Sequence, residues 1–181
     1  MLENAGPVTE HFSRNGGPPA AHVTHAERNG VHVFRYFGKI DYMSAPAIQR
    51  FLDDLIEHEH IAGFVFDLTG ADALDSTNLG LLARVNERVR DVASSESMIV
   101  SKTGDIADVL YSMGFDQSFD IVTESEAPPA PAREIDRPRP TQAELHKTML
   151  DAHRALVRLS EAGRLQFQDV VTCLENDCST H

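Results

Sequence analysis

Residues 61–82 read IAGFVFDLTGADALDSTNLGLL and carry the clearest structural pattern of the sequence. Its first eight residues are almost continuously apolar, which is typical of a central strand covered by other structure. Asp75, Ser76 and Thr77 then occupy a place where a helix is expected to begin, because short polar side chains accept hydrogen bonds from the free amides of a first turn. Apolar residues follow at helical spacing, namely Leu79, Leu82, Val85, Val89 and Val92. The stretch therefore predicts a strand, a loop and an amphipathic helix in succession.

The residues before this stretch predict a hairpin and a first helix. Residues 22–27 and 31–37 are the two expected strands, and Asn29-Gly30 between them supplies the positive backbone angles of a tight turn. Gly38 is expected to end the second strand. Ser44-Ala45-Pro46 then begins a helix, whose apolar stripe comprises Ile48, Phe51, Leu52, Leu55 and Ile56.

Three shorter elements follow the central helix. Residues 98–100 predict a buried strand, 103–113 a helix and 119–122 a last strand, and the central strand is expected to end near Asp67. The resulting order, ββαβαβαβ, predicts an α/β fold. We expect a mixed, mostly parallel sheet with right-handed crossovers and one antiparallel hairpin at an edge.

Composition divides the chain into four parts. Residues 1–20 are rich in glycine, proline and polar residues and predict a flexible leader, while residues 21–122 hold the α/β domain. Residues 123–140 contain five prolines and predict an extended linker. Residues 141–175 predict a C-terminal extension of two amphipathic helices, with a stop or kink at Gly163.

The C-terminal extension carries an apolar seam at heptad-like spacing, formed by Leu145, Met149, Ala152, Leu156 and Leu159. We expect this seam to pack within the same chain. A homodimer through the two helices, and docking of a partner such as a response regulator, are open alternatives. If the helices cover the functional face, they inhibit it.

Charge and hydropathy exclude several classes of function. The formal net charge is −12 and the isoelectric point is near 5.1, so a nucleic acid is repelled. No stretch approaches the roughly 18 apolar residues that cross a bilayer, and residues 1–20 lack the pattern of a signal peptide. We therefore predict a cytoplasmic protein with neither nucleic-acid nor membrane partners.

The motifs around the central strand resemble those of a known family. Asp67-Leu68-Thr69-Gly70, followed by Asp75-Ser76-Thr77-Asn78-Leu79-Gly80, is similar to the signature of the STAS family, named for sulphate transporters and anti-sigma factor antagonists. Residues 38–41 resemble the family's loop after the second strand, and residues 103–122 resemble its third helix and final strand. One departure is Asn78, because glycine is usual there, and its side chain is expected where a partner backbone comes close.

The resemblance implies a bacterial anti-sigma factor antagonist, a binding module without cofactor or catalytic activity. Such a module binds an anti-sigma factor, usually a serine/threonine kinase of the histidine-kinase-like ATPase class, and so releases a sigma factor for transcription in a stress response. In this partner switching, the kinase phosphorylates the hydroxyl residue before the usual glycine, which is Thr77 here, with Ser76 as runner-up. A protein phosphatase reverses the modification. The implied partner surface comprises Asp41, Asp75, Ser76, Thr77, Asn78, Leu79, Lys102, Thr103 and Gly104.

Electrostatics is compatible with a switch at this helix N-terminus. The helix dipole favours a phosphate by roughly 0.3–1 kcal/mol, while the group adds about −1.5 to −2 charge beside Asp75. These effects nearly oppose each other within the domain, whereas a dianion buried against a partner without a matched cation costs on the order of several kcal/mol. An uncovered hydroxyl at Thr77 would therefore control binding more than folding. Without the family pattern, the same residues indicate plain N-capping.

Two further functional hypotheses are open. In the first, the fold is a scaffold subunit of a stress-signalling complex, and the C-terminal seam matters more than Thr77. In the second, Asp67 and Asp75 serve a small enzyme as paired carboxylates near strand ends, although no nucleophile or metal accompanies them.

The sequence predicts no metal site. His58 and His60 lie two residues apart at a helix end and do not share a helix face. His146 and His153 lack the carboxylates or thiols that complete a coordination set, so solvated surface is the expected setting of both. Cys173 and Cys178 have no second thiol pair, which leaves a terminal disulfide and free thiols open.

Overall fold

The computed structural model describes residues 21–90, 97–124 and 131–177. The predicted leader, residues 1–20, lies outside the described residues, as do Pro128 and Pro129 of the predicted linker and Cys178.

The described residues contain six strands and five α-helices. The strands are β1 (His22–Arg28), β2 (Val31–Ile40), β3 (Gly63–Leu74), β4 (Met98–Val100), β5 (Asp120–Val122) and β6 (Arg133–Glu134). The helices are α1 (Ala45–His58), α2 (Ser76–Val89), α3 (Asp105–Ser112), α4 (Gln142–Leu159) and α5 (Glu161–Asp177), with a 3₁₀ turn at Phe115–Gln117. Among these residues, no helix combines the length and the apolarity needed to span a bilayer.

The strands form one mixed sheet in the order β5-β4-β3-β2-β1-β6. β2, β3, β4 and β5 are parallel neighbours, and β1 is antiparallel to β2. Asn29 and Gly30, with φ of 55° and 77°, make the tight turn of the hairpin. The predicted α/β class and the mostly parallel sheet are confirmed.

β2 and β3 stay paired well beyond their predicted ends. Gly38 does not end β2: with φ of 72° it pairs with Ala71 between two register shifts, so a bulge carries the strand on to Ile40. β3 likewise passes Asp67 and ends at Leu74, which pairs with Ile40. This extension brings the end of β2 against the start of α2.

The predicted linker contains a strand that the sequence did not indicate. β6 pairs with Thr24 and His25 of β1, and the adjacent Ile135 is 4% exposed. β1 therefore has a neighbour on both sides, and the β1–β2 hairpin is not the edge of the sheet, contrary to the prediction. A strand of two exposed residues has no hydropathy pattern by which to recognise it.

The C-terminal residues form a helical hairpin, α4 and α5, as predicted, but its break lies at Ser160 rather than at Gly163. Ser160 is extended, and its Oγ accepts a hydrogen bond from the Gly163 amide at 2.9 Å, so it caps the first turn of α5. Gly163 lies within that turn, close to the carbonyl of Leu156.

The core joins the sheet, α1, α2 and the C-terminal hairpin. Phe34, Phe64 and Phe66 pack along the sheet with ring centroids 5.8–6.0 Å apart. Leu156 of α4 and Phe167 of α5 belong to the same buried cluster. α2 is enclosed between these layers, so that ten of its residues are buried and none is exposed.

Candidate functional site

The predicted start of α2 is confirmed at Asp75, whose side chain caps the helix. Its Oδ1 accepts hydrogen bonds from the backbone amide and from Nδ2 of Asn78, each at 3.0 Å. The Asp75 amide in turn donates to the Ile40 carbonyl at 3.4 Å. The extended β2–β3 pair thus fixes the place at which the helix begins.

Asn78, the departure from the family pattern, turns inward. Its side chain is 1% exposed and bonds to the cap, and its Oδ1 has no hydrogen-bond partner within the described part of the chain. The expectation that this side chain lies at the surface, where a partner backbone comes close, is therefore wrong. The side chain instead ties the first turn to Asp75.

Thr77 is buried, with 2% of its surface exposed, contrary to the expectation of an uncovered hydroxyl. By helical spacing it shares a stripe of α2 with Arg84 and Arg88. Both arginines bind the carboxylate of Asp53 on α1, Arg84 through Nη1 at 2.7 Å and Nη2 at 3.3 Å. Thr77 therefore lies on the side of α2 that faces α1.

Ser76 is partly exposed and meets the C-terminal hairpin. Its Oγ lies 3.0 Å from Nε2 of His153, whose Nδ1 lies 2.7 Å from the carbonyl of Met149. A carbonyl only accepts, so in the neutral ring Nδ1 carries the proton, Nε2 accepts, and the Ser76 hydroxyl donates. His153 is 4% exposed and packs against Phe167 at 5.4 Å. It is thus a buried partner of the site, not the solvated residue that the sequence predicts.

Helices α2 and α4 are in close contact at Gly80. A Cβ added to Gly80 would lie 2.6 Å from the carbonyl carbon of Ala152 and 2.7 Å from its Cβ, closer than real side chains pack. Farther along the two helices, Arg158 of α4 donates two hydrogen bonds of 2.8 Å to the carboxylate of Glu87 on α2. Ala152 and Leu156 of the apolar seam therefore pack against other parts of the same chain, as expected.

The remaining predicted partner residues lie in loops at the same edge of the sheet. Asp41 follows β2, and Lys102, Thr103 and Gly104 link β4 to α3; all four are exposed. The carboxyl ends of parallel strands meet at one edge, which is also where α2 begins. The nine predicted residues thus divide into four exposed, two partly buried (Asp75 and Ser76) and three buried (Thr77, Asn78 and Leu79).

The carboxylates proposed for catalysis serve local structure. Oδ1 of Asp67 accepts from the amide of Thr69 at 3.0 Å and from its hydroxyl at 2.6 Å, and Oδ2 lies 3.5 Å from Nε of Arg35. Asp75 is the helix cap. In residues 21–90, 97–124 and 131–177, no three histidine, cysteine or acidic side chains are grouped to hold a metal ion.

Comparison with known proteins agrees with this architecture. The anti-sigma-F factor antagonist RsfB of Mycobacterium tuberculosis, from strains CDC 1551 and H37Rv, is 28% identical over 102 residues, which are 56% of this chain and 81% of that protein. The crystal structure of an anti-sigma factor antagonist from Mycobacterium paratuberculosis shares the fold, with a TM-score of 0.51 and 21% identity over 60% of this chain and 90% of that chain. Residues 22–127, more than half of the sequence, match the family model of the STAS domain, and the protein therefore belongs to the STAS domain family.

Proposed function

We propose that this protein is an anti-sigma factor antagonist that acts by binding, and that phosphorylation of Thr77 ends the binding. The partner is an anti-sigma factor, a kinase of the histidine-kinase-like ATPase class, and a protein phosphatase restores the active form. The exchange takes place in the cytoplasm, where sigma factors act. The similarity to RsfB and the STAS family supports this function.

The observation that carries the proposal is the arrangement at the start of α2. Two adjacent hydroxyls, Ser76 and Thr77, occupy its first turn behind the Asp75 cap. Four exposed residues in neighbouring loops, Asp41 and Lys102–Gly104, lie at the same edge of the sheet. A partner that binds these loops therefore lies next to the first turn of α2, which carries both hydroxyls.

The burial of Thr77 determines how its phosphorylation would alter the partner surface. Arg84 and Arg88, the cations on its stripe, lie seven and eleven residues farther along, which is roughly 10 and 16 Å of helix. Both arginines already bind Asp53, so a phosphate on Thr77 finds no unpaired cation on that stripe and would have to stay hydrated. Phosphorylation therefore requires the first turn to move outward, and this movement changes the surface that the partner binds.

Ser76 is the alternative acceptor because it is partly exposed. Its phosphorylation would remove the hydroxyl proton donated to His153 and place a bulky dianion between α2 and α4. Either modification perturbs the same turn, so mapping the phosphate is necessary to separate the two.

The test is to incubate the full-length protein with candidate anti-sigma factor kinases and ATP, and to map the phosphate by mass spectrometry. Thr77→Val keeps the volume of the buried side chain and removes the acceptor, and Ser76→Ala is its matched control. We expect phosphate on Thr77 in the parent and in Ser76→Ala, and none in Thr77→Val. The dissociation constant for the anti-sigma factor should rise by about tenfold or more on phosphorylation, because each 1.4 kcal/mol is about a factor of ten.

Two outcomes contradict the proposal. The first is a phosphorylated protein that binds the anti-sigma factor as tightly as the unmodified one. The second is the absence of binding to every anti-sigma factor tested, with Thr77→Val and the parent both shown to be folded by circular dichroism.

A further inference from the structure

The C-terminal hairpin, α4 and α5, lies against the helix that carries the two hydroxyls. The match to the STAS domain ends at residue 127, whereas α4 begins at Gln142. The hairpin is thus an addition to the family domain. Its position on α2 gives it a direct means of controlling the partner surface.

One stripe of α2 receives α4 along its whole length. The stripe comprises Ser76, Gly80, Ala83 and Glu87, which recur at the spacing of a single helix face. At one end Ser76 donates to His153, and at the other Glu87 binds Arg158. The first turn of α2 therefore cannot receive another protein on this side while α4 is docked.

The centre of the contact consists of small residues that fit only at close range. Gly80 leaves no room for a Cβ beneath the Ala152 backbone, and Ala152 and Ala155 are fully buried. Such contacts depend on close fit, and the larger apolar side chains of the hairpin, Leu156 and Phe167, are buried in the same cluster. The docked state is accordingly sensitive to one added side chain.

The ends of the contact are polar. Glu144, at the start of α4, accepts a hydrogen bond of 2.6 Å from Arg50 of α1, and Ser160 donates one of 2.6 Å to the Met113 carbonyl. Water replaces such bonds when they open, so their net contribution is small. The polar ends can therefore exchange with water, and the tight centre at Gly80 is the point at which one added side chain would displace the hairpin.

We infer that the hairpin is an intramolecular lid, which competes with the anti-sigma factor for the α2 face. The lid rests on the proposed function, because it regulates the same site. Only the open fraction of the molecules binds the partner, so the apparent affinity falls in proportion to that fraction. Opening also frees Ser76 from His153 and removes α4 from the first turn.

Thiol labelling tests the lid without any partner. The introduced thiol is Ser76→Cys, nearly isosteric with the hydroxyl, in a full-length background with Cys173→Ser and Cys178→Ser. Its rate of reaction with 5,5′-dithiobis(2-nitrobenzoic acid) reports access to the first turn. Ala152→Arg places a long cation against Gly80, and its matched control is Ala143→Arg, at an exposed position of the same helix.

We expect Ala152→Arg to raise the labelling rate by about tenfold or more, because an arginine cannot be accommodated in the Gly80 contact, and Ala143→Arg to leave it unchanged. Circular dichroism and urea unfolding check that the STAS domain remains folded. Equal labelling rates in Ala152→Arg and Ala143→Arg would contradict the proposal that the hairpin covers the first turn of α2.

A charge reversal gives an independent test that needs no steric clash. Arg158→Glu places a second carboxylate beside Glu87 and should raise the labelling rate several-fold, and adding Glu87→Arg should return the rate toward the parent value. Failure of Glu87→Arg to reverse the effect of Arg158→Glu contradicts the role of this ion pair in closing the lid.

Binding to the anti-sigma factor then separates the lid from the proposed function. In Ala152→Arg the dissociation constant should fall, because the open fraction rises. An unchanged dissociation constant in a variant that is labelled faster overturns the lid and leaves the proposed function intact. Absence of binding in the parent and in every variant contradicts the proposed function, while the labelling rates still decide whether the hairpin opens.

Discussion

Acidification should destabilise the fold through the stacked pair His25 and His32. The ring centroids are 5.3 Å apart, and Nε2 of His25 lies 3.1 Å from Nδ1 of His32. Nε2 of His32 lies 3.5 Å from the carbonyl of His60, which only accepts, so in the neutral pair that nitrogen carries the proton. His25 then donates to His32, and a further proton on Nδ1 of His32 would oppose the N–H of His25.

The magnitude follows from the pKa of His25. Burial lowers this pKa from 6.5 to about 4, and the neighbouring His32 acts in the same direction; burial also lowers the pKa of His32. A histidine with a lowered folded-state pKa stabilises the fold fully above its unfolded pKa, and this stability is lost as the pH falls toward the folded value. At pH 5.5 the loss from His25 alone is about 1.4 kcal/mol, or about 1 kcal/mol once its partial exposure is allowed for.

The assay is urea unfolding at pH 7.5 and 5.5, compared with the variant His25→Gln/His32→Asn. The two amides mimic the donor Nε2 and the acceptor Nδ1 but do not titrate, so the parent should lose about 1 kcal/mol more than the variant between the two pH values. His58→Gln, at an exposed position of α1, is the control and should keep the parental pH dependence within about 0.5 kcal/mol. Equal pH dependence of the parent and the double variant would show that the two histidines do not cause the loss of stability.

Three further predictions concern stability and are measured by urea unfolding at pH 7.5. Asp75→Ala should cost about 1–2 kcal/mol, because two hydrogen bonds at the start of α2 are lost, and Asp75→Ser should retain most of the stability; an equal loss in both would contradict the capping role. Asp53→Ala should cost about 1–2 kcal/mol, because two arginines of α2 lose their shared carboxylate, and no loss would show that the pair is not held in solution. Ile135→Ala should cost about 2–4 kcal/mol if β6 belongs to the folded core, whereas a loss below about 0.5 kcal/mol is expected of an unattached linker.

Local chemistry made part of the fold predictable from the sequence. Asp75 caps the helix with its own side chain, and the apolar residues 98–100 form a buried strand with the predicted bounds. The hairpin turn at Asn29-Gly30 depends only on its backbone angles. In each case the decisive interaction lies within a few residues of the sequence signal.

The features that were missed depend on distant partners. β6 forms because it can pair with the free side of β1. The length of β2 depends on a bulge at Gly38 that keeps β2 paired with β3. Thr77 lies on the side of α2 that faces α1. Ser76 contacts His153 of α4, which lies 77 residues farther along the sequence. A periodicity within one segment cannot report such contacts, so the candidate residues were recognisable from the sequence but their exposure was not.

Because β6 is attached to β1, an opened hairpin stays close to the domain. Only residues 135–141 separate β6 from α4, so the released helices remain within a few nanometres of their seat. A tether of this length corresponds to an effective concentration on the order of millimolar. Reclosing is then a first-order event that dilution does not slow, and a free competitor at micromolar concentration displaces the hairpin only if its intrinsic affinity is correspondingly higher.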